Sequence, residues 1–297
     1  MSTHVRAQQI LTALICLTFF VSCTASLSGT PTVAVVDTPS PEPSSTRSPS
    51  PTSTPTPSPT QTQTPTERPL TLVFYGDSVL KVGDVSKQGE VGFSIVEPLR
   101  ADLNSADQII ISNHGGRKAQ WGYENLDKSV LIYHPDIVTL WWGMNDLGGC
   151  PIIFDRESNK LLQYELDAML ALHIKYMKLQ INALLDRNIP VIVVTPIPIL
   201  GTLPWSHFGP NNELVWENDY RCDYNTGLEQ LVKSQRSLVS EYAADQKPVR
   251  LVDAWQIYKD HPNTDNMYMD IIHPGDYGAK LIAMGWLQVF QSIKSSR

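Results

Sequence analysis

Positive charge is scarce in this chain. Lys and Arg number 23 against 30 Asp and Glu in 297 residues, a formal charge of −7, and no basic run occurs anywhere. Nucleic-acid binding needs clustered cations to displace the counterions of phosphate, so the composition argues against such a partner. Cysteine is sparse too. Cys16, Cys23, Cys150 and Cys222 include no CxxC pair, which argues against a structural zinc site. Long apolar runs are missing: the stretch from Ile10 to Val21 is about a dozen residues, too short to persist as a membrane-spanning helix. There is no internal repeat. What is present suffices for a packed core, with 42% hydrophobic and 18% charged residues, in one sizeable domain or two small ones.

The N-terminus reads as an address. Arg6 gives a weakly positive start, the apolar stretch follows, and small residues close it at Ser22-Cys23-Thr24-Ala25. This is the layout of a secretory signal. Phe20-Val21-Ser22-Cys23 also resembles the bacterial lipobox, in which cleavage precedes a cysteine that becomes lipidated, although Phe20 stands where Leu is usual. Residues 1–23 are therefore read as a signal peptide of lipoprotein type with Cys23 lipidated; the alternative is a plain signal cleaved near Ala25. Either way the mature protein leaves the cytoplasm, and the lipid would anchor it to the outer face of a bacterial cell membrane. Residues 24–69 hold eleven of the 22 prolines, with abundant Ser and Thr. Such a segment forms neither helix nor central strand. It reads as an extended linker of up to about 3.1 Å per residue, ahead of a domain at residues 70–297.

From Leu70 the pattern becomes alternating strands and helices. Leu70–Tyr75, Gln108–Ser112, Asp136–Trp142, Val191–Thr195 and Val249–Val252 read as strands. Helices are expected over Phe93–Leu103, Glu124–Ile132, Leu161–Arg187, Leu228–Ala244 and Tyr277–Ile293. In the long one, Leu166, Leu170, Ile174, Met177, Ile181 and Leu184 make an apolar stripe. Pro196 to Trp216 reads as a loop, whose Trp205, Phe208 and Trp216 could rim a site or simply pack. The alternation predicts an α/β fold, a three-layer α/β/α sandwich around a five-stranded parallel sheet in the flavodoxin-like order 2-1-3-4-5. That order sets the loop after the first strand between those after the second and third.

Those loops carry chemistry. Gly76-Asp77-Ser78 follows the first strand, Asn113-His114-Gly115-Gly116 the second, and Gly143-Met144-Asn145-Asp146 the third; Asp270-Ile271-Ile272-His273-Pro274 precedes the last helix. Four such blocks in this order resemble those of the SGNH hydrolases, the GDSL esterase/lipase family, over about Leu70 to Ile293. The resemblance implies Ser78 as nucleophile, His273 as base and Asp270 as the carboxylate orienting it. It implies an oxyanion hole made of the Ser78 and Gly115 backbone N–H groups and the Asn145 amide. Asp77 and Asp146 are read as carboxylates that hold loops. The sequence departs from the family at Ile271, where glycine is usual, and at Arg117 and Lys118, where small residues are; those two cations are read as facing solvent, the alternative being that they bind an acidic group of the substrate. Cys150 and Cys222 follow neighbouring strands and can pair in an oxidising compartment.

The function so implied is a secreted, membrane-tethered serine esterase acting on small, glycan or lipid esters through an acyl-serine intermediate, with no metal or organic cofactor. An O-acyltransferase using the same site is the alternative. A metal-dependent phosphoesterase, with Asp77, His114, Asn145 and His273 clustered, and a non-catalytic binding module are the other classes. Nothing in the sequence fixes the oligomeric state.

Overall fold

The computed structural model describes residues 68–80, 95–100, 103–208, 214–262 and 266–295. The leader, the linker up to residue 67 and Cys23 lie outside these residues, as do the side chains of Trp205, Phe208 and Trp216. Strand β1 (Thr71–Gly76) runs into a 3₁₀ turn, Ser78–Leu80. Next come α1 (Val96–Arg100), β2 (Gln108–Asn113), α2 (Ala119–Glu124), α3 (Leu126–Ser129), β3 (Ile137–Trp141), α4 (Cys150–Ile153) and α5 (Gln163–Leu185). The chain continues through β4 (Val191–Val194), β5 (Leu203–Phe208), β6 (Leu214–Cys222), α6 (Tyr224–Ala244), β7 (Val249–Val252), α7 (Ala254–Asp260) and α8 (Asp276–Lys294).

Five strands form one parallel sheet, β2-β1-β3-β4-β7. This is the order the sequence predicts, with β7 as the fifth strand of that count. Strand side chains alternate between the two faces, and here both faces are covered. Leu72, Phe74, Ile137, Ile192 and Val194 join a cluster with Tyr258 of α7 and Trp286 and Phe290 of α8. Val73, Tyr75, Val138, Leu140, Val191 and Val193 join another with Met177, Ile181 and Leu184 of α5. Each such burial is worth about 1.5–3 kcal/mol, and the two clusters make the three layers.

The register matters most for the site. Gly76 pairs with Asn113 on one side and Trp141 on the other. The three strands therefore release their loops at one level, at the carboxyl edge where ligands of such sheets bind.

Three local expectations are corrected. The helix expected over 124–132 is broken at Asn125, which leaves the helical conformation and donates its side-chain amide to the Trp121 carbonyl (3.0 Å); an amide that bonds locally competes with helix continuation. The loop expected over 196–216 contains β5, paired antiparallel with β6. The buried stripe of α5 also takes in two polar residues, His173 and Gln180, beside the expected Leu166, Met177, Ile181 and Leu184, while Leu170 and Ile174 are half-buried and pack against the two clusters.

Candidate active site

The turn after β1 is fitted closely to both neighbouring strands. A Cβ on Gly76 would stand 2.2 Å from the Trp141 carbonyl oxygen, so only glycine passes there. The next N–H, that of Asp77, donates to the same carbonyl (3.2 Å), and the Gly76 carbonyl accepts from the His114 N–H (2.9 Å). Ser78, the candidate nucleophile, opens the 3₁₀ turn that follows, with Val79 and Leu80 buried beneath it.

Gly115 lies beside Ser78: a Cβ built on it would sit 3.6 Å from the Ser78 Cβ, whereas one on Gly116 would meet nothing within 4 Å. Of the two glycines, Gly115 is thus the one against the candidate nucleophile. Asn145 comes from the loop after β3, entered through Gly143 at φ +142°, a backbone angle that side chains disfavour. The Tyr224 hydroxyl donates to the Met144 carbonyl (3.1 Å) and holds this loop from α6. The Asn145 Nδ2 is buried and makes no hydrogen bond. A buried donor left without an acceptor is costly, and it is the state an oxyanion donor adopts before substrate arrives.

Asp270 and His273 form a self-contained unit. The His273 Nδ1 is 2.7 Å from Asp270 Oδ2, while Asp270 Oδ1 accepts the N–H groups of Ile272 (2.7 Å) and His273 (2.8 Å). Partial burial acts to raise the Asp270 pKa, but the His273 ring, those two N–H groups and the imidazolium charge together hold it below its ordinary value. In the neutral ring the proton therefore sits on Nδ1, facing the carboxylate, and Nε2 carries the lone pair. The His273 Nε2 is buried and without a hydrogen bond, one from Ser78 included. Catalytic hydrogen bonds are often long without substrate and tighten on binding. The loop carrying the pair is pinned at several points: Met269 N–H to the His273 carbonyl, Gly275 N–H to the Met267 carbonyl, Leu200 N–H to the Ile271 carbonyl, and Tyr268 Oη to the Pro198 carbonyl. Ile271 and Ile272 pack on the same apolar cluster as Val79 and Leu80. Ile271, unusual at its position, is thus an anchoring side chain.

Cys150, opening α4, and Cys222, closing β6, are joined in a disulfide. The bond ties the hairpin to the loop after β3. Arg117 is exposed and lies over the Trp121 ring, 5.7 Å from its centroid. The His114 ring contacts Ser112 Oγ (3.0 Å) and leans on Trp121.

Sequence reasoning gave Asp77 a structural role without seeing its depth. It is wholly buried; Val79 N–H donates to Oδ1 (3.1 Å) and Oδ2 has no partner. Burial pushes its carboxyl from 3.8 up to about 7, helped by the charge of Asp146, while the Val79 N–H and the Asn145 and Met144 amides pull the other way. The folded value lies above the unfolded one. The protonated carboxyl therefore contributes stability in full below about pH 4, and that contribution is lost as pH rises through about 7. Asparagine does not titrate. The stability of Asp77→Asn relative to wild type is expected to rise between pH 4 and pH 8, by up to ~4 kcal/mol for three pKa units. Urea unfolding at both pH values measures this, and a gap that does not change with pH would refute it. Buried His173, Gln180 and Gln235 also went unrecognised; their one sequence signal is polar residues at helical spacing on an otherwise apolar face.

Comparison with known proteins bears on the whole arrangement. The model of the GDSL-like lipase/acylhydrolase family matches residues 72–286. Among solved structures, a GDSL-like lipase from Parabacteroides merdae is similar at 17% identity and a TM-score of 0.52, over 76% of this chain and 97% of that one. Axe2, an acetylxylan esterase from Geobacillus stearothermophilus, is similar at 17% identity and a TM-score of 0.50, over 74% and 93%. Comparison with curated proteins finds no match. With a family match spanning most of the sheet, its helices and all four sequence blocks, the chain belongs to the GDSL-like lipase/acylhydrolase family and is a serine ester hydrolase.

Proposed function

We propose that the protein is a secreted, lipid-anchored esterase that removes short acyl groups, acetyl above all, from glycan esters outside the cell. Ser78 Oγ attacks the ester carbonyl as His273 Nε2 takes its proton. Asp270 keeps the imidazole in the tautomer that can accept it and stabilises the charge that forms. Asn145 Nδ2 and the N–H groups of Ser78 and Gly115 receive the developing oxyanion. His273 then returns the proton to the departing alcohol. Water, deprotonated by the same nitrogen, frees the acid from the acyl-serine.

One observation carries the reading: the buried atoms that would meet the reacting ester, His273 Nε2 and Asn145 Nδ2, make no hydrogen bond within the protein, while Gly115 abuts Ser78. Support for a short acyl group comes from openness, since Gly115, Gly116 and Asp270 are all exposed. A long acyl chain calls for a deep apolar pocket, whereas a small acyl group on a bulky alcohol suits an open rim. Axe2, of similar fold, is an acetylxylan esterase. Support for export and anchoring comes from the leader, Cys23 and the proline-rich linker.

The test uses bacterial cells expressing the full chain or Cys23→Ala. Fractions are assayed on acetylated xylo-oligosaccharides and on p-nitrophenyl esters from acetyl to octanoyl. Activity is expected in the membrane fraction for the native chain and in the medium for the variant, with kcat/KM falling at least ~10-fold from acetyl to octanoyl. A preference for octanoyl would overturn the substrate class, and equal partitioning of the two chains would overturn the anchor.

A further inference from the structure

Behind the candidate site lies a chain of buried polar groups that the reaction as derived does not use. Asp146, His173, Gln180 and Gln235 are each 5% exposed or less. Asp146 follows the candidate oxyanion donor Asn145 directly in the chain. Its Oδ1 accepts the N–H of Ala119 (3.0 Å), the first residue of α2 and four residues beyond Gly115. One carboxylate therefore ties together the two loops that carry Asn145 and Gly115.

That carboxylate is itself held from α5. The His173 Nδ1 lies 2.9 Å from Asp146 Oδ1, at an angle short of a well-formed hydrogen bond. The tautomer follows from the next link. The Trp142 carbonyl can only accept, so it is the nitrogen of the Gln235 amide that faces it (3.0 Å). The same nitrogen is 2.9 Å from His173 Nε2. Nε2 must therefore accept, and the imidazole proton sits on Nδ1, against Asp146. The hydrogen bond thus runs from Gln235 to His173, and the far side of the ring turns its N–H to the Asp146 carboxylate as a close electrostatic contact (2.9 Å). Seven residues along α5, Gln180 takes the other side of Ala119: its Nε2 donates to the Ala119 carbonyl (3.0 Å) and its Oε1 accepts from Trp142 Nε1 (3.1 Å). Residues two helical turns apart fall on one face, so α5 grips Ala119 by its N–H, through Asp146, and by its C=O.

We propose that His173 is a positioning residue of the oxyanion hole. It fixes the Asp146 carboxylate, and through it the spacing between Asn145 Nδ2 and the Gly115 N–H. The inference rests on those two groups being the donors. Its expected signature is specific. A donor displaced by a fraction of an ångström loses the transition-state charge more than it loses the ground-state ester, so kcat falls while KM holds.

The experiment compares His173→Gln, His173→Asn and Asn145→Ala on p-nitrophenyl acetate. Asparagine places an amide nitrogen where Nδ1 stood and keeps a donor toward Asp146; glutamine places its amide nearer the Nε2 position and leaves Asp146 unmet. Asn145→Ala is expected to lower kcat by ~10²–10³. His173→Gln is expected to lower it ~10- to 100-fold with KM within ~3-fold, and His173→Asn to recover most of that loss. Unchanged kcat in Asn145→Ala would overturn the oxyanion assignment beneath the inference. Lowered kcat there with wild-type kcat in His173→Gln would overturn the inference alone, and so would equal losses in the two histidine variants. Should His173→Gln fail to fold, Gln235→Leu, which releases the tautomer without touching Asp146, is expected to lower kcat ~3- to 10-fold, and an unchanged kcat there would again overturn the proposal.

Discussion

Ser78→Ala is expected to lower kcat/KM for p-nitrophenyl acetate by ~10⁴-fold or more. The side chain loses one oxygen at a half-buried turn, so the unfolding midpoint should stay within about 2 °C of wild type. The large effect follows from the division of labour at the site. On the proposed mechanism, the Asp270–His273 pair without the hydroxyl has no nucleophile to activate, and the remaining donors can only polarise a carbonyl for attack by water. Some rate above the uncatalysed reaction survives, because an oxyanion hole and binding alone retain 10³–10⁴-fold in serine hydrolases. The wild-type rate is expected to be unaffected by a chelator. Steady-state kinetics, with covalent capture of a fluorophosphonate by wild type but not by the variant, checks this. Hydrolysis by Ser78→Ala within ~10-fold of wild type, or wild-type activity that vanishes with chelator, would remove the serine mechanism.

The largest effect on stability is expected from opening the Cys150–Cys222 disulfide. The bond closes a loop with a sequence separation of 72 residues. In the chain-entropy model a loop of that size is worth about 4 kcal/mol, through restriction of the unfolded ensemble. For a domain of this length the thermal midpoint should drop by roughly 10–15 °C. Both cysteines are fully buried, so reduction under native conditions should be slow and the double variant Cys150→Ser/Cys222→Ser is the cleaner test. Circular dichroism melts of oxidised wild type and the double variant measure the difference. Midpoints within about 2 °C of each other would show that the unfolded chain gains nothing from release.

Much of the fold was legible because its strands announce themselves. Leu70–Tyr75, Val191–Thr195 and their partners are short apolar runs bounded by Gly, Pro or Asn, and a parallel sheet buried on both faces demands such runs. The Asp270–His273 pair was legible for another reason: its two members are three residues apart and bond locally. Placing Ser78 beside Gly115 needed the first and second strands to be neighbours, and the choice of Gly115 over Gly116 came from the family's spacing. The hairpin was missed because Pro196, Pro198, Gly201 and Pro204 read as loop, while β6 mixes charged and aromatic residues without clean alternation. Short helices α4 and α7 fell below the length at which periodicity speaks. The chain from Gln235 through His173 to Asp146 joins positions 62 and 27 residues apart in sequence. Its meaning exists only once α5 and α6 lie on one face of the sheet.

The shared level of Gly76, Asn113 and Trp141 limits how this enzyme can change in length. A residue inserted into β1, β2 or β3 would advance one loop by about 3.3 Å and turn its side chains to the opposite face, carrying one reacting group out of line with the others. Among the described residues the two strands of the hairpin between β4 and α6 pair only with each other, and away from its disulfide at Cys222 it has no strand register to match. Gain or loss of chain is therefore tolerable on the outer wall and ruinous at the three inner strand ends, so diversification of substrate can proceed by lengthening one and must leave the others untouched.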